Sequence, residues 1–394
     1  MIEIRYLVWK MVTDVGTSLP DQLLSEAFRR AQCTDIGPRE FDIGLRVLAD
    51  DIEHSNLPDA WSQTVRETTI DNLRRRLKLL ERRASAPEIA EQVIETPVFV
   101  IGLPRTGTTA LVDLLARDPR VRAPLQWEVE HLADLDEGSR SNNDPRIAAF
   151  DAQLKGRSDP VVALGLHTNG AQLPAECNTF LSLSMWSASI SARGHLPRYS
   201  EWLRFSAIPE PYILHRYVLQ HLQYHRGGGR WVLKSPFHVF DLPAILREYP
   251  DAAFIQTHRD PIDVMPSMCG LYSTLRREVA GSEDRLRTGR ELVGFYGMGI
   301  QRAMAARRDP LLDSRVIDVS HRQFLNDPLA CLEGIYERLG WSFTAVARSS
   351  AVEWIRAPAQ KISSVKFSLE EFGLSASDLE ENFGSYRERF GSLF

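Results

Sequence analysis

A continuous apolar run, Val98-Phe99-Val100-Ile101, opens directly into Gly102-Leu-Pro-Arg-Thr-Gly107-Thr108-Thr109, and Leu111, Val112, Leu114 and Leu115 follow at helical spacing. An unbroken apolar tetrapeptide suits a parallel strand covered on both faces rather than a half-solvated one. The turn after it has the spacing GxxxxG[K/T][S/T]. In that position backbone N–H groups and a helix N-terminus wrap an anion. A plain strand-to-helix turn would leave Arg105, Thr106, Thr108 and Thr109 without a role, whereas an anion-binding loop uses all four.

The same alternation returns further on. Trp231-Val232-Leu233 reads as a short strand, and Asp241-Leu242-Pro243 opens a helix with proline in the first turn, where its missing N–H is tolerated. Ala252 to Thr257 is another strand, with a helix from about Ile262, and Val316-Ile317-Asp318-Val319 is a fourth. Asp327-Pro328 then starts a helix that Gly340 ends. Strands alternating with helices predict an α/β fold with a P-loop-type, mainly parallel sheet flanked by helices. Residues 1–95 lack a buried-type strand and read as a helical N-terminal region packed on the core. Within it, Asp71 to Arg83 sets Leu73, Leu77, Leu79 and Leu80 among arginines, an amphipathic pattern. The main domain is expected over 96–394. A helical insertion, approximately 125–228 and rich in Trp, Tyr, His and Pro, covers the mouth of its sheet, and Glu137 to Pro145 reads as a loop inside it.

Charge narrows the function classes. Lys and Arg total 47 against 52 Asp and Glu, a net charge of -5, which argues against blanket neutralisation of nucleic-acid phosphates. A small anion needs only a few well-placed cations. Glu3, Arg5 and Lys10 interrupt any signal-peptide core, and no apolar run is long enough to span a bilayer. Cys33, Cys177, Cys269 and Cys331 lie far apart without CxxC spacing, so reduced thiols in a cytoplasmic protein are expected rather than a zinc site or disulfides. His215, His221 and His225, at mixed spacing, read as surface or packing residues rather than metal ligands.

The position that holds lysine in nucleotide triphosphatases is Thr108 here. That lysine, with magnesium, offsets the charge of a triphosphate. Its replacement points to a donor without a γ-phosphate and to transfer chemistry that needs no metal.

Pro104-Arg105-Thr106-Gly107-Thr108-Thr109 resembles the 5′-phosphosulfate loop of the sulfotransferases that use 3′-phosphoadenosine 5′-phosphosulfate (PAPS). Arg259 follows an apolar strand and Ser267 stands eight residues on, as does the pair that holds the donor 3′-phosphate in that family. Trp231-Val-Leu-Lys234-Ser235-Pro236-Phe237-His238 is similar to the Leu-Lys-Ser-Pro-x-His segment of a bacterial branch, and to the Lys-Asp-Pro segment of tyrosylprotein sulfotransferases. Pro174-Ala-Glu176-Cys177 and Phe367 to Leu374 resemble the same branch, so the likeness covers roughly residues 96 to 390. The Arg-Lys-Gly triplet that completes the 3′-phosphate site of cytosolic members has no counterpart here.

The resemblance implies transfer of a sulfuryl group from PAPS to a hydroxyl of a small-molecule acceptor, leaving PAP. Arg105, Thr106, Gly107, Thr108 and Thr109 would hold the 5′-phosphosulfate, Arg259 and Ser267 the 3′-phosphate. Lys234 would meet charge developing on the leaving oxygen. The acceptor must lose a proton, and two bases are open: Glu128, about where tyrosylprotein sulfotransferases place theirs, and His238. Phe180, Leu181, Met185, Trp186, Trp202 and Phe205 could line an apolar or aromatic acceptor site or belong to the core. Two other classes compete. A P-loop small-molecule kinase would carry lysine at position 108, and a non-catalytic nucleotide-binding protein would not need Arg105, Lys234, Arg259 and Ser267 together.

Overall fold

The computed structural model describes residues 18–55, 57–135, 143–156, 159, 162, 169–281, 283–357 and 365–394. Most of the expected loop at 137–145, and Glu3, Arg5 and Lys10, lie outside them. The described residues open with three helices, α1 (Leu19–Ala31), α2 (Phe41–His54) and α3 (Asp59–Ser85). Asp71 to Arg83 is the C-terminal half of α3, which bends its leucines inward: Leu73 and Leu77 are fully buried, Leu79 and Leu80 nearly so. Each such side chain contributes roughly 1.5–3 kcal/mol by leaving water.

The α/β part follows as β1 (Val98–Ile101), α4 (Thr108–Leu115), β2 (Val121–Arg122), α5 (Gln126–Glu130), α6 (Pro197–Phe205), α7 (Glu210–Arg226), β3 (Arg230–Lys234), α8 (Leu242–Glu248) and β4 (Ala253–His258). It continues with α9 (Pro261–Ala280), α10 (Arg285–Ala306), β5 (Val316–Ser320), α11 (His321–Asn326), α12 (Pro328–Arg338), α13 (Ala345–Arg356) and α14 (Ala376–Phe390). Aspartates cap four of these helices: Asp241 accepts from the Ala244 N–H at 3.0 Å, Asp260 from Ile262 at 3.0 Å, Asp284 from Arg287 at 2.9 Å and Asp327 from Ala330 at 3.0 Å. Each cap stabilises its helix by about 1 kcal/mol.

The sheet is parallel throughout, in the order β2-β3-β1-β4-β5. Four strands were legible as apolar runs. The fifth, β2, is two residues long and half polar, and only its pairing with Arg230 and Trp231 makes it a strand. Along β1 the side chains alternate between two cores. Val98 and Val100 pack with Leu111, Val112, Ile255 and Ile317, while Phe99 and Ile101 join the larger cluster reaching the N-terminal helices. That cluster runs from Leu19 to Phe390, so the N-terminal region shares one core with the sheet.

Parallel strands end at one edge. There the chain carries Gly102 after β1, Lys234 at the end of β3, Arg259 after β4 and His321 after β5. Strand β1 lies between β3 and β4, so the connections diverge on either side of it, and a crevice opens at the carboxyl ends where they do.

Candidate active site

The loop after β1 keeps its shape through backbone conformation. Gly102 has φ +136°, and a Cβ there would come within 2.8 Å of the Thr257 carbonyl oxygen; Gly107 has φ +86° and would meet His321 at 3.0 Å. Arg105 adopts φ 68° without being glycine, a conformation that L-residues avoid unless their surroundings impose it. Thr106 is buried, and its hydroxyl donates to the Leu103 carbonyl at 2.7 Å and lies 2.6 Å from Thr257 Oγ1. That hydroxyl shapes the loop from within, bonded to Leu103 and Thr257. Helix α4 carries no side-chain cap on Gly107, so the first-turn N–H groups receive no side-chain oxygen.

Cations converge on this loop. Arg105 Nε donates to Ser267 Oγ on α9 at 3.0 Å, and Arg259 Nη1 donates to the Arg105 carbonyl at 3.2 Å. Burial, and then the Arg259 charge, hold Arg105 below the usual guanidinium range. On the other side Lys234, only 3% exposed, donates to Thr109 Oγ1 at 3.1 Å and to the Glu176 carboxylate. Arg105, Gly107, Thr108, Thr109, Lys234, Arg259 and Ser267 are therefore gathered at one strand edge from four separate segments.

Glu176 reaches Lys234 because its segment is zipped to the chain after β2. Gln126 N–H donates to the Leu173 carbonyl at 3.0 Å, and Ala175 N–H to Pro124 at 2.7 Å. Cys177 N–H then donates to the Lys234 carbonyl at 2.8 Å, which docks the segment on the strand end. Asn178 Nδ2 donates to Glu176 Oε2 at 2.9 Å, and its own Oδ1 accepts from Ser235 Oγ at 2.7 Å. Tyr272 and Tyr296, whose hydroxyls lie 2.7 Å apart, are near enough that the Glu176 charge adds to the effect of burial in raising both phenols. In the sequence Glu176 is marked only by its motif, with Pro174 two residues before it and Cys177 next to it.

The two expected bases sit elsewhere. Glu128 is fully buried and both its oxygens are taken: Arg122 Nη2 donates at 2.8 and 2.7 Å, Arg226 Nε at 3.1 Å and Leu125 N–H at 2.9 Å. Arg226 precedes β3, and Arg122 pairs with Trp231 near its start. Four residues at about 3.3 Å each put that end of the strand ~13 Å from Lys234. His238 is also fully buried, in the 3-10 turn after β3, with Nδ1 3.0 Å from the Tyr212 hydroxyl and its ring edge-on to Phe99. Burial, aided by His215 and Lys234, pushes its pKa well below the ordinary value, so the ring is neutral and faces the core.

Other expectations resolve by burial. His215 and His221 are fully buried and His225 nearly so, so none of the three lies on the surface of α7. Phe180, Leu181, Met185 and Trp186 are core; Phe205 is 61% exposed. All four cysteines are unpaired. Among the described residues no helix is long and apolar enough to cross a membrane.

A parallel sheet with a glycine loop, an uncapped helix start and three cations at one edge is a protein built to grip a small anion. The chain belongs to the sulfotransferase family, whose model matches residues 97–345. It is 25% identical over 356 residues, 84% of either chain, to the omega-hydroxy-beta-dihydromenaquinone-9 sulfotransferase Stf3 of Mycobacterium bovis. Among solved structures, sulfotransferase STF9 from Mycobacterium avium superposes with a TM-score of 0.85 at 26% identity, covering 94% of this chain and 96% of that one. Sulfotransferase STF1 from Mycobacterium tuberculosis H37Rv gives 0.81 at 28% identity, over 94% and 99%.

Proposed function

We propose that this sulfotransferase transfers a sulfuryl group from PAPS to a hydroxyl of a small-molecule acceptor by in-line displacement, giving PAP and a sulfate ester. The observation that carries the reading is the position of Lys234, held between Thr109 at the phosphate loop and the carboxylate of Glu176. The loop fits an anionic phosphosulfate: its glycines clear room that a Cβ would fill, and the start of α4 lacks a side-chain cap. Backbone N–H groups of residues 105–109 and the hydroxyls of Thr108 and Thr109 hold the 5′-phosphosulfate. Thr106 acts through its backbone only. Arg259 and Ser267, with Arg105 beside them, hold the 3′-phosphate.

The donor supplies a sulfuryl group on a phosphate leaving group. Lys234 meets the negative charge that grows on the bridging oxygen as the sulfur–oxygen bond breaks, so it acts mostly in the transition state. Glu176 is the base: it takes the acceptor proton as the acceptor oxygen bonds to sulfur. A bound donor that draws the Lys234 ammonium toward itself leaves the Glu176 carboxylate better able to take that proton. Glu128 and His238, both sealed from the crevice, do not take this role.

The relative named for a hydroxylated menaquinone supports an apolar acceptor here, with Tyr272 and Tyr296 beside its hydroxyl. Residues 96–394 form the transferase domain and the N-terminal helices a cap on it, with the helical insertion of residues 125–228 on the acceptor side. Unpaired cysteines support a cytoplasmic setting. The test is transfer from sulfur-labelled PAPS to a panel of alcohols and phenols, with EDTA present, alongside thermal shift with PAP, AMP and ATP-magnesium. Transfer that survives EDTA, and stabilisation by PAP well above AMP, are expected. Stabilisation by ATP-magnesium alone would return the chain to the kinase reading.

A further inference from the structure

Behind the reactive edge lies a group of side chains that sulfuryl transfer does not use. Cys177, His215 and His238 are all fully buried, and a ligand atom from each lies within 4.8 Å of the other two. The three come from different segments: Cys177 from the stretch beside Glu176, His215 from α7, and His238 from the turn after β3. Each histidine has its Nδ1 engaged by a tyrosine hydroxyl, His215 with Tyr249 at 2.8 Å and His238 with Tyr212 at 3.0 Å. Both Nε2 atoms are buried without a hydrogen-bond partner. Buried ring nitrogens rarely stay unsatisfied. A histidine that donates its Nδ1–H to an outer oxygen presents the Nε2 lone pair inward, which is how metal-binding histidines are oriented.

We propose that Cys177, His215 and His238 bind one thiophilic d10 ion, Cu(I) or Zn(II), as a structural clamp. Bond lengths of about 2.3 Å to sulfur and about 2.0 Å to nitrogen put trigonal ligand atoms roughly 3.7 Å apart. The widest pair therefore closes by about 1 Å on binding, a movement that side-chain torsions supply. Thiolate and imidazole are soft and borderline ligands, which select against magnesium and calcium. Charge favours the monovalent ion. Phe99 and Phe180 wall the site, and Lys234 lies on its reactive side already paired with Glu176. One thiolate neutralises Cu(I) completely but leaves Zn(II) with a net positive charge in an apolar box, which is costly.

The clamp has a consequence for the edge in front of it. Cys177 adjoins Glu176, and His238 follows Lys234 by four residues. An ion joining them would fix the spacing of the two segments that bring Glu176 and Lys234 together. The ion takes no part in the bonds made and broken at sulfur, so transfer without added metal and this site are compatible. The inference does not rest on the donor or the acceptor.

The experiment titrates the reduced, metal-free full chain under anaerobic conditions with Cu(I), in competition with a chromophoric chelator, and separately with Zn(II). Uptake of one Cu(I) per chain is expected, with a rise of several degrees in Tm. Cys177→Ala and, independently, His215→Gln should abolish uptake, while Cys269→Ala keeps it. Zn(II) uptake without Cu(I) would keep the site and overturn the choice of ion. No uptake of either ion by the wild-type chain at tenfold excess, or uptake unchanged in Cys177→Ala, overturns the proposal. Should Cys177→Ala not fold, the wild-type isotherm and His215→Gln still decide.

Discussion

Two stretches of this chain run side by side and each delivers a buried or half-buried glutamate to a cation, yet the outcomes differ. After β2, Glu128 closes the first turn of α5 and is locked by two arginines and a backbone N–H with no exposed surface. Across the pairing of Leu125 with Pro174, Glu176 meets Lys234 and the Asn178 amide at the crevice and keeps 30% of its side chain exposed. A carboxylate with every lone pair engaged holds structure together. One that meets its cation at the crevice is placed to take a proton from a group there. The contrast lies in the position of the partners, since the residue type is the same.

The sharpest way to break that contrast is Glu176→Gln. It should lower kcat roughly 10²–10⁴-fold with unchanged melting temperature, and less on a phenol than on an aliphatic alcohol, because a phenol needs less help in ionising. Near-normal kcat on both acceptors would sink Glu176 as the base. Glu128 should behave in the opposite sense. Glu128→Ala leaves Arg122 and Arg226 facing a buried void, and loss of about 3–5 kcal/mol in denaturant unfolding is expected. A stable Glu128→Ala protein with no turnover would instead reinstate it as catalytic.

Lys234→Ala tests the cation on the functional side. A fall in kcat of roughly 10²–10³-fold is expected, with PAP affinity nearly unchanged, since the charge it meets appears only as the bond breaks. Equal losses in kcat and PAP binding would make it an ordinary anchor. Arg259→Ala should act on binding alone, weakening PAP by about 1.5–3 kcal/mol in calorimetry and leaving AMP untouched. Equal effects on both nucleotides would remove Arg259 from the 3′-phosphate.

The smallest effect is expected at Glu291, a paired carboxylate on α10. Burial would raise the Glu291 carboxyl, but the hydrogen bond to His195 and the Arg276 charge bring it down to about 2 from an ordinary 4.5. Its folded pKa is depressed, so its contribution is present above the ordinary value and lost as pH falls toward 2. With part of the side chain in solvent, that amounts to on the order of 1 kcal/mol. Glu291→Gln should flatten the fall in Tm below about pH 5; an unchanged slope would mean that other groups dominate acid unfolding.

Much of this was readable in one dimension. Strand β1, the glycine loop and the start of α4 are contiguous, and their roles follow from apolar burial and backbone freedom at neighbouring positions. The caps Asp241 and Asp327 are equally local, each acting on an N–H three residues on. Strand β2 escaped notice because a two-residue polar edge has no periodicity to detect. Resemblance and spacing along the chain point to Glu128 and His238, but neither records burial, and a helix or turn rotates both side chains into the interior.

Sequence by itself determined the α/β class and the glycine loop between β1 and α4, because each is encoded within a few residues of a strand; Arg105, Lys234 and Arg259 were marked by resemblance to a family, and they do stand at the ends of strands. Tertiary structure alone decided which carboxylate faces Lys234, that Thr106 turns inward, and that Cys177, His215 and His238 meet. Those outcomes depend on the zipper between residues 124–127 and 171–175 and on the docking of α7. Contacts between segments tens of residues apart are set by how apolar faces pack, and no local spacing in the chain records them.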